Sequence, residues 1–123
     1  MVASPTADAD QQASIDDAIA MWRARGVSGL QLGDLPMVTI AFRDAADAVH
    51  GFYDDVNATV YVNLRLQDRA QRAVTIAHEL GHAFGLLHIA ADIRPSVMNT
   101  GNVTIVPTDQ DEAELETLWG ACP

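Results

Sequence analysis

The sequence predicts an α+β fold in which a small, twisted, mixed β-sheet packs on helices. The chain has 123 residues, which is enough for one hydrophobic core and too few for two. Its apolar residues recur at helical spacing in three segments, and strand-like patterns lie between the first and the second of these. The predicted order is therefore helix, strands, helix, long loop and helix.

The first helix follows a short polar segment. Residues 1–10 are rich in Ala, Asp, Ser and Pro, and we interpret them as a flexible tail before a single domain of residues 11–123. A helix is predicted over residues 11–25, with Gly26 as its stop. Its apolar side chains recur at spacings of four and three residues: Ile15, Ile19 and Trp22.

Three strands are predicted between the first two helices. Residues 37–42 form a mostly apolar run that is typical of a buried strand, and residues 51–53 form a shorter one. Residues 57–64 carry apolar side chains at every second position, which is typical of a strand with one exposed face. Such short strands in succession favour a small sheet.

Two more helices are predicted in the second half of the chain. A helix over residues 68–84 has one apolar face, and residues 89–106 lack periodicity and are interpreted as a loop. Thr108 lies three residues before Asp111, a pairing that marks a helix start with an acid in its first turn. The apolar face of this C-terminal helix consists of Leu115, Leu118 and Trp119.

The charge of the chain argues against two classes of partner. Only 7 Lys and Arg residues accompany 17 Asp and Glu residues, which gives a formal net charge of −10. Nucleic acids and anionic membrane surfaces are bound by clustered basic residues, so we expect neither as a partner. No apolar run reaches the ~20 residues that a membrane-spanning helix needs.

The sequence says little about the compartment. Cys122 is the single cysteine, which excludes an internal disulfide and any multi-cysteine zinc site, and its role stays open. Residues 1–10 lack the basic start and apolar stretch of a signal peptide. The protein is thus expected to be either intracellular or shown here without its leader.

One segment carries most of the chemical information: His78-Glu79-Leu80-Gly81-His82-Ala83-Phe84-Gly85-Leu86-Leu87-His88. Three of the 4 histidines of the chain lie within it. With the residue frequencies of this chain, the pattern H-E-x-x-H-x-x-G-x-x-H arises by chance with a probability of about 10⁻⁵. The segment is therefore interpreted as a metal site rather than as an ordinary amphipathic helix.

The spacing of the histidines has a mechanical reason. His78 and His82 project from one face of a helix, one turn apart, and both can reach one zinc ion at about 2.0–2.1 Å. On a straight helix, His88 would lie roughly 9 Å beyond His82, too far to bind the same ion. Gly85 adopts a positive φ at little cost and lets the chain turn back. Three imidazoles would then leave a fourth position open, as in catalytic zinc sites.

Glu79 follows the first of these histidines and is placed beside the metal without binding it. Its carboxylate is expected to take a proton from a zinc-bound water and to pass it to the leaving amine. Zinc lowers the pKa of that water towards 7 and polarises the carbonyl group that is attacked. The sequence therefore predicts an enzyme, a zinc-dependent endopeptidase, with Glu79 as its catalytic residue and peptides or proteins as its substrates.

The motif makes the sequence resemble the metzincin clan of zinc metallopeptidases. The likeness extends to Met98, in the stretch Ser96-Val97-Met98-Asn99. Clan members place a methionine in a tight turn beneath the zinc, so the resemblance implies that Met98 supports the site. Residues 107–120 are similar to the final helix of the matrixin branch. The resemblance thus implies a compact matrixin-like fold whose second helix carries the active site.

The resemblance also implies where a substrate binds. The strand over residues 57–64 would form the exposed upper edge of the sheet, where an extended peptide pairs antiparallel. Residues 100–107 would form the wall of the pocket for the side chain that follows the cut bond. The candidate substrate-binding residues are Val60, Tyr61, Val62 and Pro107. Clan members are mostly exported, which favours a secreted protein.

Other interpretations stay open. The same site would serve a narrow-specificity exopeptidase, or a zinc-holding binding module whose catalysis is lost or is blocked by self-association. A glutamate of the last helix would replace His88 as a ligand in a gluzincin; the candidates are Glu112, Glu114 and Glu116. A calcium ion would need the acidic turn of Asp54, Asp55 and Asn57, a kind of turn that commonly forms without an ion.

Overall fold

The computed structural model describes residues 2–3, 7–27 and 38–119 of the chain. Three helices and a mixed sheet make up the described part, so the predicted α+β class is confirmed. The predicted strand start at Met37, the helix stop at Gly120 and Cys122 lie outside the described residues. In chain order the elements are β1 (Val2–Ala3), α1 (Ala9–Arg23), β2 (Val38–Arg43), β3 (Gly51–Asp54), β4 (Thr59–Asn63), α2 (Arg69–Ala83) and α3 (Asp109–Trp119).

The first helix begins earlier than the sequence predicted. Asp8 caps α1 by accepting a hydrogen bond from the Gln11 backbone N–H at 2.8 Å, and the Gln11 side chain accepts one from the Asp8 N–H at 2.9 Å. This reciprocal capping satisfies two backbone donors at the helix start. Val2 and Ala3 also pair with β2. The helix thus begins two residues before its predicted start at residue 11, and Val2–Ala3 and residues 9–10, predicted as parts of a flexible tail, belong to β1 and α1.

The sheet has the strand order β1-β2-β4-β3. Strand β4 pairs in parallel with β2 on one side and antiparallel with β3 on the other. A turn over residues 55–58 folds β3 and β4 into a hairpin, so β3 forms one edge of the sheet and β4 lies inside it.

The prediction that residues 57–64 form the exposed edge is therefore wrong. Val60 and Val62 are fully buried, and their side chains belong to the core that the sheet shares with the helices. The period-two pattern identified a strand with one buried face. The pattern does not indicate which strands are its neighbours, and the neighbours determine which strand lies at the edge of the sheet.

Trp22 joins the first two helices. Its ring is fully buried, and its Nε1–H donates a hydrogen bond to the Ala77 carbonyl of α2 at 2.9 Å. The ring also meets Phe84 edge-to-face, with 5.5 Å between ring centroids. This contact fixes α2 against α1 beside the segment that carries the histidines. No helix in the described part of the chain combines the length and apolar character needed to cross a membrane.

We predict that Trp22→Phe lowers the free energy of unfolding by about 1–3 kcal/mol, because the change removes a buried hydrogen bond and leaves a small cavity. Urea unfolding followed by circular dichroism measures this difference. The control is Val56→Ala, which truncates a side chain that is 87% exposed and should change stability by less than about 0.5 kcal/mol. Equal effects of the two changes would contradict the role given to Trp22.

Candidate metal centre

Helix α2 presents two of the predicted ligands on one face. The helix begins after Asp68, whose side chain accepts a hydrogen bond from the Gln71 N–H at 2.8 Å. The ring centroids of His78 and His82 lie 4.9 Å apart, one turn from each other. The predicted helix over residues 68–84 is confirmed to within one residue at each end.

Gly85 turns the chain at the end of α2, as the sequence predicted. Its φ of +102° lies in the region that favours glycine. The Leu86 N–H donates to the Gly81 carbonyl at 2.9 Å, and the Gly85 N–H donates to the His82 carbonyl at 3.0 Å. These two bonds make a Schellman motif, which closes the helix and redirects the chain. The segment after Gly85 then carries His88 back towards the other two histidines.

The three histidines converge on one point. The Nε2 atom of His88 lies 3.3 Å from that of His78 and 3.1 Å from that of His82. Four ligands held tetrahedrally at about 2.0–2.1 Å from a zinc ion are roughly 3.3–3.4 Å apart. Both separations are close to this spacing, so the three side chains could hold a metal ion such as zinc, and they form the one potential metal-binding group among the described residues.

Backbone carbonyls orient two of the rings. The Nδ1 of His78 lies 2.7 Å from the Val97 carbonyl oxygen, and the Nδ1 of His82 lies 2.9 Å from that of Leu86. A carbonyl accepts a hydrogen bond, so each Nδ1 carries the proton and each Nε2 presents its lone pair to a metal. Burial lowers the pKa of His78 to about 4 and also lowers that of His82. Both rings are therefore in the neutral, metal-binding form near pH 7.

Glu79 lies next to this centre. Its Oε1 atom is 3.9 Å from the Nε2 atom of His78, and its side chain is only 9% exposed. Burial raises the pKa of Glu79 to about 7. The carboxyl group thus has a proton affinity suited to both accepting and releasing a proton near neutral pH.

Met98 packs against helix α2 at Gly81, within the segment that carries the histidines. It is fully buried, and its N–H donates to the Ser96 hydroxyl at 2.9 Å within a tight turn. A Cβ atom on Gly81 would overlap the Met98 sulfur. Gly81 thus allows the thioether to lie directly against α2, between the turns that carry His78 and His82.

Asp111 holds this turn from the other side. Its carboxylate is fully buried, accepts hydrogen bonds from the Ser96 hydroxyl and the Val97 N–H, and pairs with Arg94 at 2.9 Å. It also accepts the Thr108 N–H at 3.0 Å. The sequence predicted Asp111 only as part of a helix start; its contacts to the turn required the folded structure.

Asn99 ties the same turn to the segment of the third ligand. Its side-chain amide donates to the Ile89 carbonyl at 2.8 Å, and the Ile89 N–H donates to the Met98 carbonyl at 3.1 Å. Ile89 directly follows His88, so these bonds fix the position of the His88 backbone relative to α2. No sequence motif indicated this role, because a lone Asn in a loop has no characteristic spacing.

An open cleft of about 690 Å³ lies above the histidines. Strand β3 lines one side of it with Gly51, Phe52 and Tyr53, and residues 100–102 line another. Of the predicted substrate contacts, Val60 and Val62 lie in the core instead, and Tyr61 contributes to the other face of the sheet, where its ring stacks on Phe52.

Pro107 is buried and does not line the cleft. Its carbonyl accepts a hydrogen bond from Arg25 at 3.1 Å. Of the predicted pocket wall, residues 100–102 line the cleft and residues 103–107 do not. The prediction for Pro107 as a substrate contact is therefore wrong.

The remaining predicted ligand sets have other partners. Glu114 pairs with Arg94 at 2.8 Å, and no glutamate of α3 joins the histidine cluster in the described part of the chain. In the acidic turn, the Asp54 carboxylate accepts hydrogen bonds from the Val56 and Asn57 N–H groups and from the Asn57 side chain. These bonds account for the turn without a calcium ion.

No family model fits the chain, and no curated protein is significantly similar to it. The case for this centre therefore rests on its geometry and on the residues themselves.

We predict that Gly81→Ala weakens zinc binding by about tenfold to a hundredfold, because the new methyl group displaces Met98 from its contact with the helix that carries His78 and His82. Equilibrium zinc titration against a competing chelator measures the affinity. In a Met98→Ala background the clash is gone, so the same change should leave the zinc affinity unchanged. It should leave the free energy of unfolding unchanged or raise it by up to about 1 kcal/mol through helix propensity. Equal losses in both backgrounds would contradict the proposed contact.

A second prediction concerns acid stability. Burial alone would raise the pKa of Asp111, but hydrogen bonds from Ser96, Thr108, Arg94 and Val97 outweigh it and hold the pKa below the usual 3.8. A carboxyl group with a lowered folded pKa stabilises the fold above its unfolded pKa and loses this contribution as the pH falls through the folded value.

Asp111→Asn should therefore reduce the free energy of unfolding by about 3–5 kcal/mol near pH 7, and the difference from the unaltered protein should shrink below about pH 4. Urea unfolding at a series of pH values measures both. If the Asn variant does not fold, Ser96→Ala provides a milder change with the same direction. A difference that stays constant down to about pH 2 would contradict the assignment.

Proposed function

We propose that the protein is a zinc-dependent endopeptidase of the metzincin type, with a compact matrixin-like catalytic domain. The observation that carries this proposal is the convergence of one ring nitrogen from each of the three histidines within 4.8 Å of one another, with a buried carboxyl group beside them at the base of an open cleft. His78, His82 and His88 would hold the zinc ion. When bound, zinc polarises the carbonyl of a peptide bond and makes a water molecule acidic.

Glu79 moves the proton in this proposal. Its carboxylate takes a proton from the attacking water as the carbon–oxygen bond forms, and then delivers that proton to the nitrogen of the breaking carbon–nitrogen bond. Its burial supports this role, since water exclusion keeps the carboxyl pKa near 7. A carboxylate with its ordinary pKa would be a weaker base towards the attacking water at neutral pH.

Strand β3 would bind the substrate as an added strand. The His50 carbonyl accepts a hydrogen bond from the Asn63 N–H at 2.9 Å. Along an antiparallel strand, residues that are hydrogen-bonded to the partner strand alternate with residues that are not. Because His50 is hydrogen-bonded to β4, Gly51 and Tyr53 direct their N–H and C=O groups away from β4. An extended peptide can pair with these groups along the cleft. In this proposal, β3 has the substrate-binding role that the family resemblance implied for residues 57–64.

We predict that Glu79→Gln keeps the zinc and the fold but lowers kcat/KM by at least about a hundredfold, because it removes the proton acceptor and retains the side-chain volume. Casein cleavage followed by mass spectrometry measures the activity, and elemental analysis measures the metal. His88→Ala is the matched control, which should lose both zinc and activity. An unchanged rate in Glu79→Gln would remove the catalytic role from Glu79.

The same assay separates the alternatives. Cuts inside a peptide that is blocked at both ends support an endopeptidase, whereas cuts that require a free end support an exopeptidase. A zinc-loaded protein that cleaves nothing at any dilution would be a binding module. Activity that emerges only on dilution would indicate a self-associated latent form.

A further inference from the structure

We propose that the cleft selects peptides with a Lys or Arg about three residues before the cut bond, held between the Tyr53 ring and the Asp55 carboxylate. This proposal rests on the peptidase function and names a feature of its substrates.

The position of Glu79 fixes the reaction centre at one end of β3. A Cβ atom on Gly51 would lie 3.3 Å from the Glu79 Cγ and 2.9 Å from the Thr75 Cγ2. The first residue of the strand is therefore directly above the catalytic carboxyl group. At about 3.3 Å per residue, the far end of β3 lies about 10 Å away, or three residues of an extended substrate.

Tyr53 and Asp55 lie at that far end, and both line the cleft. Tyr53 shares its face of the strand with Gly51, so its ring is directed to the α2 side. Only one residue separates the two in the chain, and burial together with the negative charge of Asp55 raises the pKa of the Tyr53 phenol.

The neighbouring acid, Asp54, already accepts the hydrogen bonds that close its turn. No hydrogen bond or ion pair engages Asp55 in the described part of the chain. Asp55 is also exposed. Its charge is therefore available to a ligand in the cleft.

This combination suits a basic side chain. The carboxylate pairs with the ammonium or guanidinium group, while the aromatic ring covers the carbon stem and attracts the cation. No Lys or Arg is among the described residues that line the cleft, where the carboxyl groups are those of Asp55 and Glu79. The net charge of −10 also draws cationic peptides towards the protein.

The direction of the substrate follows from the edge strand. A peptide that pairs antiparallel with β3 continues the pairing of β3 with β4 and gains the more stable ladder. Its chain then runs from the Asp55 end to the Gly51 end. The basic residue is therefore on the N-terminal side of the cut bond.

A lysine scan tests the proposal. One peptide with a known cut bond is made with Lys, and then with Gln, at each position on both sides of the bond. We expect the ratio of kcat/KM for Lys over Gln to reach about threefold to tenfold at or next to the third position before the cut, and to be near one elsewhere. Asp55→Asn should bring the ratio at that position close to one.

Asp92→Asn is the matched control, because Asp92 is exposed and does not line the cleft. It removes the same charge and should keep the preference. A ratio near one in the unaltered protein, a preference after the cut, or a preference that survives Asp55→Asn would each overturn the proposal.

A binding experiment tests the subsite independently of the peptidase activity. The same peptides are titrated by fluorescence anisotropy against the zinc-loaded Glu79→Gln variant, with and without Asp55→Asn. Tighter binding of one Lys peptide that Asp55→Asn abolishes supports the subsite even if the unaltered protein cleaves nothing. Equal Kd values for all peptides would refute the subsite, whatever the activity.

Discussion

A single buried carboxylate, that of Asp111, connects the parts of the metal centre that are far apart in sequence. Its two oxygens accept hydrogen bonds from the start of α3 and from the turn at residues 96–99. In that turn the Val97 carbonyl accepts the proton of His78. The orientation of the first histidine thus depends on a charge that is held by a different helix.

Side chains hold the segment between α2 and α3, which has no helix or strand of its own in the described part of the chain. Asn99 binds the carbonyls of Ile89 and Arg94, and Asn102 closes the next turn through the Ile105 carbonyl. These bonds replace the regular ladder that a strand or helix would supply. A loop of this length can therefore keep His88 and Met98 at fixed positions.

The sequence predicted those parts of the fold that depend on local periodicity or on fixed spacing. The helices, the histidine pair on α2 and the turn at Gly85 belong to this group, because each is decided by residues within a few positions. The strand order, and with it the true edge of the sheet, depends on pairing between distant segments. The roles of Asp111 and Asn99 likewise arise from long-range contacts, which leave no periodic signal.

The capped start of α1 is a local feature, yet it was not predicted from the sequence. The Asp8–Gln11 pair is local and has a recognised spacing, yet it lay inside a segment whose composition suggested a tail. Composition describes an average over several residues, whereas a cap depends on two of them. The Asp8–Gln11 spacing therefore does mark the helix start, but the average composition of residues 1–10 obscures it.

The segment that leads into β3 has a consequence for how a peptide would be bound. The Asn63 amide donates to the carbonyls of Ala46 and Val49 at 3.0 and 2.8 Å, so the upper rim of the cleft is ordered before any partner arrives. The incoming chain alone would then lose backbone freedom, at about 1–2 kcal/mol for each residue that becomes extended. Peptides that are already extended in solution, as proline-rich segments are, would lose less backbone freedom on binding.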